Sequence, residues 1–182
     1  MKALVFCERG LFVLYPFYVW YAVSHWHPAA ALLPLILAGL VKSVTSKQSH
    51  PAAKYFFVLT TVLLCVALSM GQSEKALLFY PVWMSLGMLL LFLSSLFFPP
   101  TVIERIARLM EGDLDAKAVA YTRKVTQVWC GFFLINAGIA SWTAMQGNWD
   151  LWVWYNGAIS YALMGLLMLI EWRVRLSVKA QS

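Results

Sequence analysis

Long blocks of apolar residues alternate with short polar segments along this chain. A helix that crosses a bilayer needs roughly 20 predominantly apolar residues, and the blocks approach or reach that length. The first two blocks are short for a perpendicular span, so a re-entrant hairpin is the alternative for them. The pattern predicts an all-α, polytopic membrane protein with six transmembrane helices, at residues 10–24, 27–41, 55–70, 76–98, 125–145 and 151–170.

One polar segment, residues 99–124, has a helical pattern of its own. Thr101 and Glu104 have the spacing of a capping box, and Gly112 is a helix-ending signal. The sequence therefore predicts an interfacial amphipathic helix over residues 101–111, under the cytoplasmic leaflet. Its apolar stripe consists of Val102, Ile103, Ile106, Leu109 and Met110, and its polar side of Glu104, Arg105, Arg108 and Glu111.

The composition excludes a soluble globule. Apolar residues make up 62% of the chain and charged residues only 12%, whereas a soluble domain carries about 25% charged residues. We therefore expect one integral membrane domain over residues 1–182, with the lipid bilayer as its main partner. The net charge is +6, but no basic run is long enough to follow a phosphate backbone, so we expect no nucleic-acid partner.

The basic residues predict an orientation. If the N-terminus is cytoplasmic, every lysine and arginine except Lys75 falls in a cytoplasmic segment, as the positive-inside rule requires. Both termini are therefore predicted to be cytoplasmic. An aromatic cluster at the predicted outer turn between the last two spans is expected in the headgroup layer. Its members are Trp142, Trp149, Trp152, Trp154 and Tyr155.

Residues that could carry out catalysis are poorly placed. A cysteine nucleophile needs a histidine within hydrogen-bond reach, but Cys130 is predicted near the inner surface and His25 and His27 near the outer one. A hydrocarbon core of about 30 Å separates them. We therefore expect no catalytic residue, no metal site and no cofactor. Asp113 and Asp115 either form an acid pair or, in the interpretation we favour, cap the next helix.

Polar side chains inside the predicted spans are the first group of candidate functional residues: Asn136, Asn156 and Tyr161. Polar groups in hydrocarbon need partners and often mark a functional site. The interpretation we favour is adhesion, with both asparagines at the seam between the last two spans. Small residues would let these helices approach closely, namely Gly138, Ala140, Ser141, Gly157, Ala158 and Gly165.

Charged residues at the predicted cytoplasmic face form the second group. Glu171 ends the last span, Arg123 and Lys124 precede the fifth, and Glu8 and Arg9 lie at the same predicted surface. These charges either surround a cytoplasmic cavity or form an ordinary interfacial ion pair, which is worth little. The candidates at this face are Arg105, Arg108, Glu111, Tyr121, Arg123 and Glu171.

Two segments carry a family resemblance. They read IERIARLMEGDLDAKAVAYTRKVTQVWCGFFLINAGIASWTAM and LWVWYNGAISYALMGLLMLIEWRVR. Over residues 99–175 the chain resembles a family of small bacterial inner-membrane proteins found in gene clusters for aryl-polyene and xanthomonadin-like pigment lipids. A fainter similarity is to the bacterial intracellular septation protein A. The matching positions are Glu104, Arg105, Arg108, Glu111, Tyr121, Arg123, Trp129, Asn136, Asn156, Gly157, Tyr161, Gly165 and Glu171.

The resemblance implies a location in the bacterial inner membrane and a role in envelope-lipid or pigment-lipid biosynthesis. Some family members are labelled ketosynthase, but a condensing enzyme needs a cysteine with two nearby histidines on a large soluble fold, so we attribute that label to neighbouring genes. We expect a non-catalytic accessory or scaffold protein, with acyl-handling enzymes as partners at the cytoplasmic face. A small lipid transporter or flippase is the alternative, and a membrane-embedded enzyme ranks third. A lateral groove lined by Arg123, Glu171 and the asparagines would favour transport, and a closed, dry bundle the scaffold.

Overall fold

A computed structural model of the chain describes residues 18, 21–22, 25–26, 32–37 and 51–179. This part contains helices and turns and no strand, which confirms the all-α prediction for it. The predicted spans 10–24 and 27–41 lie mostly outside the described residues, as do Glu8, Arg9 and His27. The helices are α1 (Pro51–Ser69), α2 (Ser73–Phe97), α3 (Val102–Glu111), α4 (Ala116–Gln146), α5 (Trp149–Val153) and α6 (Ser160–Lys179), with a π-helical segment, Trp154–Ile159, between α5 and α6.

Three helical stretches are long and apolar enough to cross a membrane, judged by length and composition: Ser73–Phe97, Ala116–Gln146 and Trp149–Arg175. Their exposed surfaces carry large apolar side chains such as Leu90 and Ile135. Water does not solvate such surfaces well, whereas lipid does. The chain is therefore a helical membrane protein.

Local side-chain bonds set several helix ends. The Asp115 carboxylate accepts a hydrogen bond from the backbone N–H of Ala118 at 2.7 Å, so α4 begins well before the predicted residue 125. This confirms the capping role of Asp115, whereas Asp113 lies 3.8 Å from the guanidinium of Arg108 instead. At the turn before α5, the side chain of Asn148 accepts from the N–H of Leu151 at 3.0 Å.

The chain forms two compact units, Met1–Pro81 with Ala140–Ala158, and Val82–Ile139 with Ile159–Ser182. In the first unit the indole N–H of Trp152 donates to the carbonyl of Leu78 at 2.9 Å. Trp152 and Tyr155 are buried, so these two rings fill the interior of their unit, and the headgroup layer stays a prediction for the exposed Trp142 and Trp154. The core of the second unit consists of Phe92, Val125, Trp129, Cys130 and Phe133.

Two of the predicted close-approach positions are open. A Cβ added at Gly138 or Gly165 would meet no atom of the described residues within 4 Å, so neither glycine is needed for the described helices to pack there. Ala140 is fully buried in the first unit. The expectation of close packing is therefore wrong for these two glycines, because a small residue in a lipid-facing helix is as easily exposed as packed.

Candidate functional site

The helix α3 packs against the rest of the second unit with a side that is only partly polar, on which Glu104 and Ala107 are buried. Glu104 is only 6% exposed, although the sequence placed it on an outward polar face, and that expectation is wrong. The Glu104 carboxylate accepts two hydrogen bonds from Arg108, at 2.9 Å from Nε and 2.8 Å from Nη2. A carboxylate removed from water needs such a partner, which explains why the pair forms within one turn of the helix.

Both ends of α3 are capped. The Thr101 hydroxyl accepts from the N–H of Glu104 at 3.2 Å, and the Ser95 hydroxyl accepts from the N–H of Val102 at 3.1 Å. The predicted capping box is therefore half formed, since the Glu104 carboxylate binds Arg108 rather than the backbone of Thr101. Gly112 ends the helix with φ +82°, as predicted.

Three of the five residues in the predicted apolar stripe of α3 are exposed. Val102 and Ile103 pack against the aromatic core of the second unit. Further along the helix, Leu109 is 87% exposed, and Ile106 and Met110 are also exposed. A soluble protein would bury these exposed apolar residues and expose Glu104, so this arrangement is that of a helix whose outer side faces lipid or another protein.

The predicted cytoplasmic-face candidates are only partly brought together. The Arg175 guanidinium forms an ion pair with Glu111 at 2.6 Å, and the Tyr121 hydroxyl donates to the backbone carbonyl of Glu171 at 3.3 Å. Tyr121, Glu171 and Arg175 border a cleft of about 50 Å³ between α3, α4 and α6. Sequence reasoning missed Arg175, although its place one turn after Glu171 was a usable signal.

Arg105 and Arg123 are separate from this cleft. The Nε of Arg105 donates to the carbonyl of Pro100 at 2.9 Å, which ties it to the start of its own helix. Arg123 is exposed, and the structure does not place it among the residues that line the cleft.

A lateral groove of about 210 Å³ lies between α4 and α6 in the second unit. Its walls are almost entirely apolar, and Tyr121, Lys124 and Glu171 are among the residues that line it. Neither Arg123 nor either asparagine lines it, so it differs from the polar groove expected of a transporter. The remaining lining residues are Val125, Val128, Trp129, Leu167, Ile170 and Val174.

Asn136 belongs to a buried hydrogen-bonded group in the second unit. Its amide nitrogen donates to the Ser85 hydroxyl at 2.9 Å, and its carbonyl oxygen accepts from the Ser160 hydroxyl at 2.8 Å. All three residues are buried. Asn136 thus joins α2, α4 and α6, as the adhesion interpretation predicts. Sequence reasoning missed Ser85 and Ser160, because serine in a helix more often bonds its own backbone.

Asn156 lies within the π-helical segment of the first unit. Its amide nitrogen donates to the Thr143 hydroxyl at 3.2 Å and to the carbonyl of Trp152 at 3.0 Å. Its carbonyl oxygen is buried and has no partner among the described residues. The Thr143 bond joins α4 to the last helical stretch, as predicted, whereas the unpartnered oxygen is not what adhesion alone requires.

The third intramembrane candidate differs from the asparagines. Tyr161 is 40% exposed, and its hydroxyl has no hydrogen bond with a described residue. Within the part of the chain that the structure describes, no group of His, Cys, Asp and Glu side chains is arranged to hold a metal ion. Cys130 is buried in the aromatic core.

No protein-family model, curated protein or solved structure matches this chain. Fold and site together define the class: an all-helical membrane protein with an amphipathic helix clamped to its second unit and buried asparagines inside its helices.

Proposed function

We propose that this protein is a non-catalytic accessory or scaffold protein of the bacterial inner membrane, acting in envelope-lipid or aryl-polyene-type pigment-lipid biosynthesis. In this proposal six helices span the membrane and both termini are cytoplasmic, which is supported by the apolar blocks and the basic residues of the sequence. The pathway rests on the resemblance of residues 99–175. The partners are acyl-handling enzymes at the cytoplasmic face.

The observation that carries the proposal is the outward orientation of Ile106, Leu109 and Met110 on α3. The ion pair of Glu111 with Arg175 and the packing of Val102 and Ile103 on the aromatic core hold the helix against the rest of the second unit. Leu109 and its apolar neighbours are therefore presented outward on a fixed surface. Fixed, exposed apolar side chains are the usual anchors of a protein interface.

The arginines are less suitable as docking residues than the apolar side. Arg108 binds Glu104 and Arg105 binds the carbonyl of Pro100, so removing either charge disturbs α3 itself. We therefore expect the exposed apolar residues of α3, and not these two arginines, to contact the partner.

The experiment is photo-crosslinking in intact cells with a benzophenone amino acid at position 109. The control places it at Ile135, an exposed apolar residue of α4 within a candidate membrane span. We expect a crosslinked acyl-handling enzyme, identified by mass spectrometry, from position 109 and none from position 135. Lipid adducts alone at both positions would refute the scaffold proposal.

A small lipid transporter or flippase is the second candidate, favoured by Asn156. A buried acceptor without a described partner, inside a π-helical segment, is a feature often found at functional sites. Purified protein in vesicles would then move a headgroup-labelled phospholipid across the bilayer, and Asn156→Leu would slow that movement. If the protein is a scaffold, vesicles that contain the unaltered chain or Asn156→Leu should both move the labelled lipid no faster than vesicles without protein.

A membrane-embedded enzyme ranks third, since the described part offers no nucleophile with a base.

A further inference from the structure

The second unit holds the start of α3 more firmly than its end. At the start, the backbone N–H of Val102 donates to the Ser95 hydroxyl of α2 at 3.1 Å, and Val102 and Ile103 pack against the aromatic core. At the end, every residue at positions 109–113 is exposed. The first turn of the helix is therefore fixed in place, whereas side-chain packing contributes little to holding the last turn.

The space beneath the second half of α3 is incompletely filled. A cleft of about 50 Å³ lies there, and the residues that line it include Ala107 and Glu111 of α3, Ala118 and Tyr121 of α4, and Arg175 of α6. Protein interiors contain few voids larger than a water molecule, and the atoms beside such a void lose dispersion contacts. The cleft is large enough for a water, so packing alone holds this part of α3 weakly.

An ion pair joins the loosely packed end of α3 to α6. The Arg175 guanidinium lies 2.6 Å from the Glu111 carboxylate, and the two side chains are 24% and 30% exposed. Two further ion pairs of α3 join Arg108 to Glu104 and to Asp113. Those two pairs lie within the helix and the connection that follows it, so they move with α3 and do not tie it to α6.

We propose that α3 is a hinged strap, with its pivot at residues 101–103 and with the Glu111–Arg175 ion pair as the clasp that holds its end closed. The described structure is the closed state. In the open state the clasp is broken, residues 109–113 lift away from α6, and water reaches the buried side of Ala107. The short connection to α4, residues 112–115, limits how far the end of the helix moves.

Ionic strength regulates this strap, because salt screens the attraction between the two charges of the clasp. The strap goes beyond the proposed scaffold function. Where that function holds, the clasp controls how firmly the exposed apolar residues of α3 are presented to a partner. The test below measures the helix itself and uses no partner, so its outcome is separate from that of the crosslinking experiment.

Opening of the strap is measured at Ala107, which is 3% exposed in the closed state and lines the cleft. The full chain with Ala107→Cys is purified in detergent and treated with an uncharged, water-soluble maleimide, and peptide mass spectrometry follows each cysteine. The modification rate at position 107 follows the open population when closing is faster than the reaction. The chain's own Cys130, buried in the aromatic core, reports unfolding of the whole second unit.

Removal of the clasp by Arg175→Gln should raise the modification rate at position 107 about fivefold, the upper end of the effect of a single partly exposed ion pair. The rate at Cys130 should not change. Arg173→Gln is the matched control, since it removes the same charge from an exposed position of α6 that does not line the cleft. It should leave both rates unchanged. Exchange of the two charges, Glu111→Arg with Arg175→Glu, should restore the slow rate.

Salt provides a second test, in which the clasp itself is not altered. Raising the ionic strength from about 0.1 to 1 M shortens the screening length from ~10 to ~3 Å, so the rate at position 107 should rise with the clasp intact. A rate that does not depend on salt would overturn the strap, as would equal rates for Arg175→Gln and Arg173→Gln. An equal rise at position 107 and at Cys130 would also overturn it, because the pair would then stabilise the whole second unit.

Discussion

The burial of the Glu104 carboxylate determines which group the neighbouring Arg108 side chain binds. Its side chain is 7% exposed, and Arg108, at 39%, reaches it from one turn away in the same helix. The pair keeps a charged group in the interior without leaving it unsatisfied. Arg105 binds only a backbone carbonyl and does not pair with a buried charge.

We expect Arg108→Ala to destabilise the protein by about 1–3 kcal/mol, because it leaves a buried carboxylate without its partner. Arg105→Ala loses one backbone hydrogen bond and should cost less than about 1 kcal/mol. Thermal unfolding of the detergent-solubilised variants measures both. The double variant Arg108→Ala with Glu104→Gln should recover part of the loss, and equal losses from the two single variants would contradict the assignment.

The two asparagines should respond differently to replacement by leucine. Asn136→Leu breaks bonds to two buried hydroxyls, and an interhelical bond in a membrane protein is worth about 0.6–2 kcal/mol. Asn156→Leu removes an oxygen that has no described partner, which offsets the loss of its bond to Thr143. The unfolding midpoint should therefore fall more for Asn136→Leu. A larger fall for Asn156→Leu would show that its oxygen has a partner such as a bound water.

At the level of the helix, α3 depends on the residue that ends it. Gly112 has φ +82° and ψ −139°, a region that side chains other than hydrogen rarely adopt. Its N–H donates to the carbonyl of Arg108 at 2.9 Å. The Glu111–Arg175 ion pair lies directly before it, so the backbone turn at Gly112 helps fix where the last turn of α3 ends.

Gly112→Ala should cost about 1–3 kcal/mol through backbone strain. Within the described part of the chain, a Cβ at this position meets no atom within 4 Å, so steric overlap with it contributes nothing. Gly131→Ala is the control, because that glycine is helical and equally open. Alanine is favoured over glycine inside a helix by about 1 kcal/mol, so this variant should unfold at the same temperature or higher. The reverse order of the two unfolding midpoints would contradict the strain argument.

For the whole molecule, the exposed helix ends allow a test of the membrane orientation that the basic residues predict. Gln72, Gln146 and Gly112 are exposed ends of helices in the described part. The distribution of basic residues predicts that Gln72 and Gln146 face outward and Gly112 faces the cytoplasm. Lys47 and Gln181, also predicted to be cytoplasmic, lie outside the described residues.

Single cysteines at positions 72 and 146, in a chain whose own cysteines are replaced by serine, should react with a membrane-impermeant maleimide in intact cells. Cysteines at positions 47, 112 and 181 should react only after the membrane is permeabilised. Modification is read as a mass shift on a gel. Labelling of position 112 in intact cells would reverse the predicted orientation.

The sequence by itself determined the features that depend on neighbours along the chain. Apolar blocks determined the helices, and Thr101, Gly112, Asp115 and Asn148 determined helix ends, since each of these signals acts within about one turn. The sequence also identified Asn136 and Asn156 as buried polar groups, because hydrocarbon offers them no solvent.

Only the tertiary structure decided which groups meet across helices. Asn136 forms a hydrogen bond with Ser85, 51 residues away, and Glu111 forms an ion pair with Arg175, 64 residues away. The burial of Trp152 rests on a bond to Leu78, 74 residues away, and Glu104 is buried because the side of α3 that packs inward carries it together with Ala107. Periodicity records which side of a helix is apolar, but in a membrane protein an apolar side is equally stable against lipid or protein, so packing alone selects between them.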